Sequence, residues 1–349
     1  MKKQGVFALA GAAAGVAAGL ATQRTLVKRR RRNDPEAGER FGTRRGVRPR
    51  TISLSDGADA FIEETGPESR KGAVFVHGSA LRTDLWHYQL PGLGDHRLVF
   101  YDLRGHGVSR EKGSARFSIA QLARDLVEVI DDCGLDEVVV VGHSIGGMVA
   151  LDLAATRADL LGARVKGIVL VNTTYRPGVE TVAGGAALAH VERLLRRPLD
   201  VVGKRAPTID RLRAVVKPSD LLFLTVAYTG FGPGAPASQV DFVYDMLAET
   251  PSDVIFDLIS SYRDFDVTEV LGEVTVPALV IGGTNDRITV PAASEYLAEH
   301  LPKAELKMFD RCGHMPMLER HREFNAIVAS FLDDTLGRPI AQEGEPEPS

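Results

Sequence analysis

Three residues far apart in the chain have the types that nucleophilic acyl transfer needs: Ser144, Asp286 and His314. A serine hydroxyl is a weak nucleophile until a base takes its proton, and an imidazole base needs a carboxylate to fix its tautomer. Ser144 lies in Gly142-His143-Ser144-Ile145-Gly146, the G-x-S-x-G pattern of a sharp strand-to-helix turn. Such a turn leaves room for no side chain at Gly142 or Gly146, and Gly147 lets the following helix lie close to the strand. The hydroxyl would then stand at a helix N-terminus, whose unpaired amides favour developing negative charge. Asp286 follows LVIGGTN and His314 follows FDRCG, each just past an apolar run.

Each residue has a bland alternative. In a chain with 35 glycines, Ser144 could be a small packing residue in a chance pattern. Asp286 could form a turn or cap a helix, and His314 could be structural. The strand before Ser144, the helix after it and the order serine, acid, histidine favour chemistry. Other histidines compete poorly: His190, His300 and His321 fall in helical patterns, while His87 and His106 precede the serine. Asp310 and Asp266 are alternative acids, Asp266 reading better as a cap.

His77-Gly78-Ser79 ends the run GAVFV. Backbone amides of Ser79 and Ile145 are the expected oxyanion hole, so Ser79→Ala should do little harm. His77 reads as a loop-stabilising histidine, and Asp102 and Arg104 in DLRGHGVS as structural supports. Trp86 is expected at the pocket mouth, and Met315 with it as a substrate contact. Cys312 reads as a packed thiol, since it lacks the turn that would expose a nucleophile.

The elements that must position these groups alternate along the chain. GAVFVHG, RLVFYDLRGHG, EVVVVGHS, KGIVLVN, VPALVIGGTND and AELKMFDRCGH read as buried strands. Helical patterns separate them, among them SIAQLARDLVEVIDDCG with Ser118 as N-cap and the stretch after Ile145. This is an α/β chain with a doubly wound, mostly parallel sheet. Between Tyr175 and Tyr262 helical stretches run without strands, which reads as a cap over the sheet's carboxyl edge. The expected division is an N-terminal apolar segment and basic linker over 1–50, a core over 51–174 and 263–335, a helical cap over 175–262 and a disordered acidic tail over 336–349.

Formal net charge is -4, but the ends differ in sign, with KRRRR at Lys28 to Arg32 and AQEGEPEPS at the close. Two cysteines, Cys133 and Cys312, exclude a disulfide framework, and no cluster suggests a metal. The run from Gly5 to Ala21 is uncharged and rich in Ala and Gly, with Gly11, Gly15 and Gly19 at fourth-residue spacing. Followed by the basic block, it is expected to anchor the chain to a membrane with the main domain cytoplasmic. Export after cleavage and a soluble cytoplasmic chain are the alternatives. The basic block lacks aromatic interleaving or a nucleic-acid motif, so no nucleic acid is expected.

Taken together, HGSALRTDLW, DLRGHGVS, GHSIGG, GGTNDRITVP and CGHMPMLE resemble the α/β-hydrolase superfamily, from about Thr51 to Leu332. The resemblance is closest to its esterase, lipase and cofactor-free haloperoxidase-like branch. It implies an α/β-hydrolase fold with a helical cap, the Ser144–His314–Asp286 triad, no cofactor and a small-molecule acyl ester as substrate. Members with Asp at the elbow cleave epoxides or carbon–halogen bonds, and Ser144 argues against those chemistries. Thioester hydrolysis, C–C cleavage, acyl transfer and perhydrolase or haloperoxidase-type activity at the same site stay open, as does a non-catalytic binding protein on this fold.

Overall fold

The computed structural model describes residues 22–109, 117–176, 220–262 and 265–338. Its centre is an eight-stranded sheet: β1 Arg50–Ser53, β2 Asp59–Thr65, β3 Lys71–Val76, β4 Leu98–Tyr101, β5 Glu137–His143, β6 Val165–Val171, β7 Ala278–Gly283 and β8 Ala304–Phe309, in the order β1-β2-β4-β3-β5-β6-β7-β8. From β4 to β8 all neighbours pair in parallel, whereas β2 is antiparallel to both β1 and β4. The apolar runs are buried on both faces in alternation: Val74, Val76, Val138 and Val140 join one core cluster, and Ala73, Phe75, Val139 and Val141 the other. Helices α2 (Ile119–Asp132), α3 (Ile145–Thr156) and α7 (Pro291–His300) contribute to the first cluster, and α8 (His321–Leu336) to the second. Ser118 caps α2, its side chain accepting from the Gln121 amide at 3.1 Å.

The described part of the region between β6 and β7 holds α4 (Asp220–Gly230), α5 (Ala237–Glu249) and α6 (Ser252–Tyr262). Part of the expected cap, 177–219, lies outside the described residues, as do the apolar segment to residue 21 and most of the acidic tail. Among the described residues no helix is long and apolar enough to cross a membrane.

The stretch expected as a basic linker is instead packed on the body. Residues 22–32 form a helix, α1, whose Val27 is buried. Farther along, Phe41 stacks on Phe242 of α5 with ring centroids 4.9 Å apart. Arg31 pairs with Asp241 at 2.7 Å, and Asp34 accepts the Ser238 amide at 2.7 Å. The arm therefore joins cap to core through both apolar and charged contacts.

Below the sheet edge, Arg104 is wholly buried and forks onto Asp125 at 2.6 and 2.7 Å and onto Asp56 at 2.8 Å. Asp102 accepts the amides of Thr83 and Val108, both at 2.7 Å. These are the structural supports expected of that stretch. Removing one member of a buried pair leaves an uncompensated charge. Arg104→Met should cost about 3–5 kcal/mol in urea unfolding, and Arg104→Met with Asp125→Leu should recover most of it. A single-variant cost below about 1 kcal/mol would mean the pair bears no load.

Candidate active site

Strand β5 ends at His143 and helix α3 begins at Ile145, so Ser144 occupies the turn alone. Its backbone has φ 53° and ψ -118°, a strained region for a residue with a side chain. Close approach explains the flanking glycines. A Cβ on Gly142 would lie 2.3 Å from the Gly146 carbonyl oxygen, and one on Gly146 would lie 2.1 Å from the Val76 oxygen. Two hydrogen bonds hold the turn: the Ser144 amide donates to Val171 at 2.9 Å, and Thr173 Oγ1 donates to the Ser144 carbonyl at 2.6 Å.

Asp286 lies just past β7, and its carboxylate is fully engaged. Oδ1 accepts the amides of Ile288 at 2.7 Å and Thr289 at 3.1 Å. Oδ2 accepts Thr289 Oγ1 at 2.8 Å and His314 Nδ1 at 2.7 Å. Both side chains of the Asp286–His314 pair are buried. A carboxylate there can only accept, so His314 donates through Nδ1, the tautomer that in the neutral ring leaves the lone pair on Nε2. The order expected from sequence, acid then histidine past successive strands, thus brings the two into direct contact. Among the described residues no hydrogen bond joins Ser144 Oγ to His314. The two are nonetheless neighbours, since the His143 and His314 rings lie 4.7 Å apart and His143 Nε2 donates to the His314 carbonyl at 2.9 Å.

Several residues that build this site carried no sequence signal. Asn172, with φ 41°, bridges two loops: its Nδ2 donates to Gly313 and its Oδ1 accepts the Gly283 amide, both at 2.8 Å. Glu319 is a second bridge, accepting the Gly313 amide at 2.9 Å and the Gly232 amide at 2.8 Å. The His314 amide donates to Gly230, the last residue of α4, at 2.9 Å. The histidine loop is therefore clamped between the sheet and the cap. Thr289, three residues after Asp286, is the one with a readable cue, since an Asp side chain commonly bonds groups two and three residues on.

The 77–80 loop lies against the elbow. A Cβ on Gly78 would be 2.9 Å from His143 Nδ1 and 3.2 Å from Ser144 Cβ. Two histidines shape this loop. His77 Nε2 accepts the Leu103 amide at 3.0 Å while its Nδ1 donates to Gly78 at 2.8 Å. His106 Nε2 accepts the Ala80 amide at 3.0 Å, holding Ala80 at φ 58°. Ser79 follows Gly78 on this loop, and Ile145 opens the first turn of α3, where helix amides have no intrahelical partner.

The two expected substrate contacts are both buried. Trp86 is 1% exposed, and its ring meets Phe75 of β3 edge-on at 5.0 Å. The short turn Thr83–Trp86 folds the indole down onto the sheet. Met315 is likewise buried in the apolar cluster that contains Trp86. Cys312 is a packed thiol, 3.6 Å from Glu319, and burial raises its pKa well above that of an ordinary thiol. Among the described residues no group of side chains could hold a metal ion.

Burial pushes the imidazoles of His77 and His106 down to about 3 and about 4, and His143 well below its ordinary value. The folded chain keeps all three neutral at pH 5, where an unfolded chain would protonate them, so stability is lost as pH falls below about 6.5. Each contributes about 2 kcal/mol of this loss by pH 5. Burial pushes the carboxyls of Asp102 and Glu319 up to about 6 and about 7, which acts in the opposite sense and offsets part of it. Urea unfolding should therefore show a net loss of about 2 kcal/mol from pH 7 to pH 5, made shallower by His106→Gln. Stability that holds or rises over that interval would contradict the neutral-histidine reading.

A family model described as "Alpha/beta hydrolase family" matches residues 73–327, well over half of the chain. A putative carbamate hydrolase, RutD, of Variovorax paradoxus is 28% identical over 77% of this chain and 94% of its own length. A non-heme haloperoxidase of Rhodococcus erythropolis is 29% identical over 81% of this chain and 98% of its own. Among solved structures, a thermophilic esterase from Thermogutta terrifontis superposes with a TM-score of 0.67 at 21% identity, covering 83% of this chain and 99% of that one.

Proposed function

Because the chain belongs to the α/β-hydrolase family, as its matched region and fold establish, we propose that it cleaves carboxylic esters through an acyl-enzyme on Ser144. The observation that carries this reading is the 2.7 Å bond from His314 Nδ1 to Asp286 beside a serine held at positive φ. Nε2 of His314 takes the proton as Ser144 Oγ attacks the carbonyl carbon. The imidazolium that forms is stabilised by Asp286, whose other partners keep the carboxylate from turning away. The amides of Ser79 and Ile145 receive the oxyanion. Collapse of the tetrahedral intermediate breaks the C–O bond, and His314 returns the proton to the departing alcohol. Water, deprotonated by His314, then releases the acid and restores Ser144.

The RutD relative favours a second reading, carbamate hydrolysis, in which the same serine attacks a carbonyl that bears nitrogen. A panel of p-nitrophenyl acyl esters and aryl carbamates, assayed with product analysis, separates the two and exposes thioester, C–C or perhydrolase chemistry.

A fluorophosphonate probe should label the wild-type chain at Ser144 and leave Ser144→Ala unlabelled. Ester turnover should fall at least about a thousandfold in Ser144→Ala. Ser79→Ala should stay within about threefold of wild type, since its contribution comes from the backbone. A folded wild-type chain that takes no label would favour a binding protein over an enzyme.

A further inference from the structure

The cap helix α4 reads DLLFLTVAYTG, with Asp220 as its one charge. Phe223, Val226 and Ala227 are buried in the second core cluster, as an inward face should be. The outward face carries large apolar side chains around Thr225: Leu221 is 59% exposed, Leu222 43% and Tyr228 64%. Large apolar side chains gathered on an outward face mark an interaction surface.

Helix α1 lies beside it. The guanidinium groups of Arg30 and Arg31 sit 5.6 and 5.0 Å from the Phe223 ring. An open groove of about 430 Å³ lies between α1 and the 234–237 stretch that opens α5, with Leu26, Arg29 and Leu224 of α4 in its walls. Leu26 is itself 49% exposed. Lys28, Arg29 and Arg32 are exposed and have no acidic partner among the described residues, unlike Arg31, which Asp241 occupies. At the far end, Arg287 lies 4.2 Å over the Tyr228 ring. Exposed apolar side chains are thus bordered by cations from separate elements. The uncharged run Gly5 to Ala21 leads directly into α1.

We propose that this face, formed by α1 and the outer side of α4, docks on the surface of an anionic bilayer. Leu26, Leu221, Leu222 and Tyr228 enter the boundary between headgroups and acyl chains, while Lys28, Arg29 and Arg32 meet lipid phosphates. Apolar burial and headgroup attraction together give stable interfacial binding where either alone is marginal. A protein partner would have to match both the apolar face and an unpaired cationic border, whereas an anionic membrane supplies both complements. The proposal is independent of which bond the enzyme cleaves.

The chain has one tryptophan, Trp86, and it is buried, so a tryptophan on the outer face becomes a clean depth reporter. Full-length Leu222→Trp is mixed with vesicles of brominated phosphatidylcholine and phosphatidylglycerol. Its added emission should fall about twofold or more, while the wild-type chain, reporting only Trp86, stays unquenched. Quenching should weaken in high salt, in Lys28→Glu/Arg29→Glu/Arg32→Glu and on vesicles of brominated phosphatidylcholine alone. Leu222→Trp emission that stays unquenched while the chain co-sediments with the vesicles would overturn the proposal, because the uncharged run alone would then be the attachment. Equal quenching on neutral vesicles would overturn the role of the cations. A dimer by light scattering that shields the added tryptophan from quencher would assign the face to a second copy instead.

Discussion

The structure turns on how closely β5 and α3 approach at Ser144. A nucleophile can stand above the sheet only if the chain reverses direction within one residue, and that residue takes a positive φ. Such a conformation costs of order 1–3 kcal/mol for a residue with a side chain and persists only where its surroundings over-determine it. Here they do. Gly142 and Gly146 permit contacts that any Cβ would forbid, and Val171 and Thr173 tie both ends of the turn. The parallel sheet around it, buried on both faces, supplies the rigidity that holds the strain in place.

Polar groups around the elbow are organised so that most have partners and few need charge. His77 and His106 spend both ring nitrogens on backbone groups, His143 spends one, and all three stay neutral, so these loop contacts are made without charged histidines. The acidic members are Asp286, which meets four donors, and Glu319, which spans the histidine loop and the end of α4. Because Asn172 and Glu319 hold the same Gly313 from opposite sides, the position of His314 depends on both the sheet and the cap. That coupling ties the position of the His314 ring to the end of α4 as well as to the sheet.

Much of this was legible in the sequence, for stated reasons. Continuous Val/Ile/Leu runs and helical spacing give the parallel strands and the order of elements, and glycine spacing gives the elbow. The β1–β2 hairpin was missed because DAFIEET buries two glutamates: Glu64 is acceptable inside through Arg48, Arg50 and Arg97, which come from other strands and loops. The basic arm reads as a linker because KRRRR dominates it, yet Val27 and Phe41 seat it on α5 and the core. The burial of Trp86 was not legible, because a tryptophan in a loop motif gives no sign of which way a short turn will face it. Asn172 and Glu319 act through contacts with residues far along the chain, which no local pattern encodes.

The central claim is that the carbonyl carbon becomes bonded to Ser144 before water reaches it. Intact-mass spectrometry of wild-type chain quenched within milliseconds of mixing with p-nitrophenyl butyrate measures that bond directly. The account predicts a species heavier by one butyryl group, mapped by peptide fragmentation to Ser144 and absent from Asp286→Ala and His314→Ala at the same time point. Turnover with no acylated species, or an acyl group found on another residue, would contradict it.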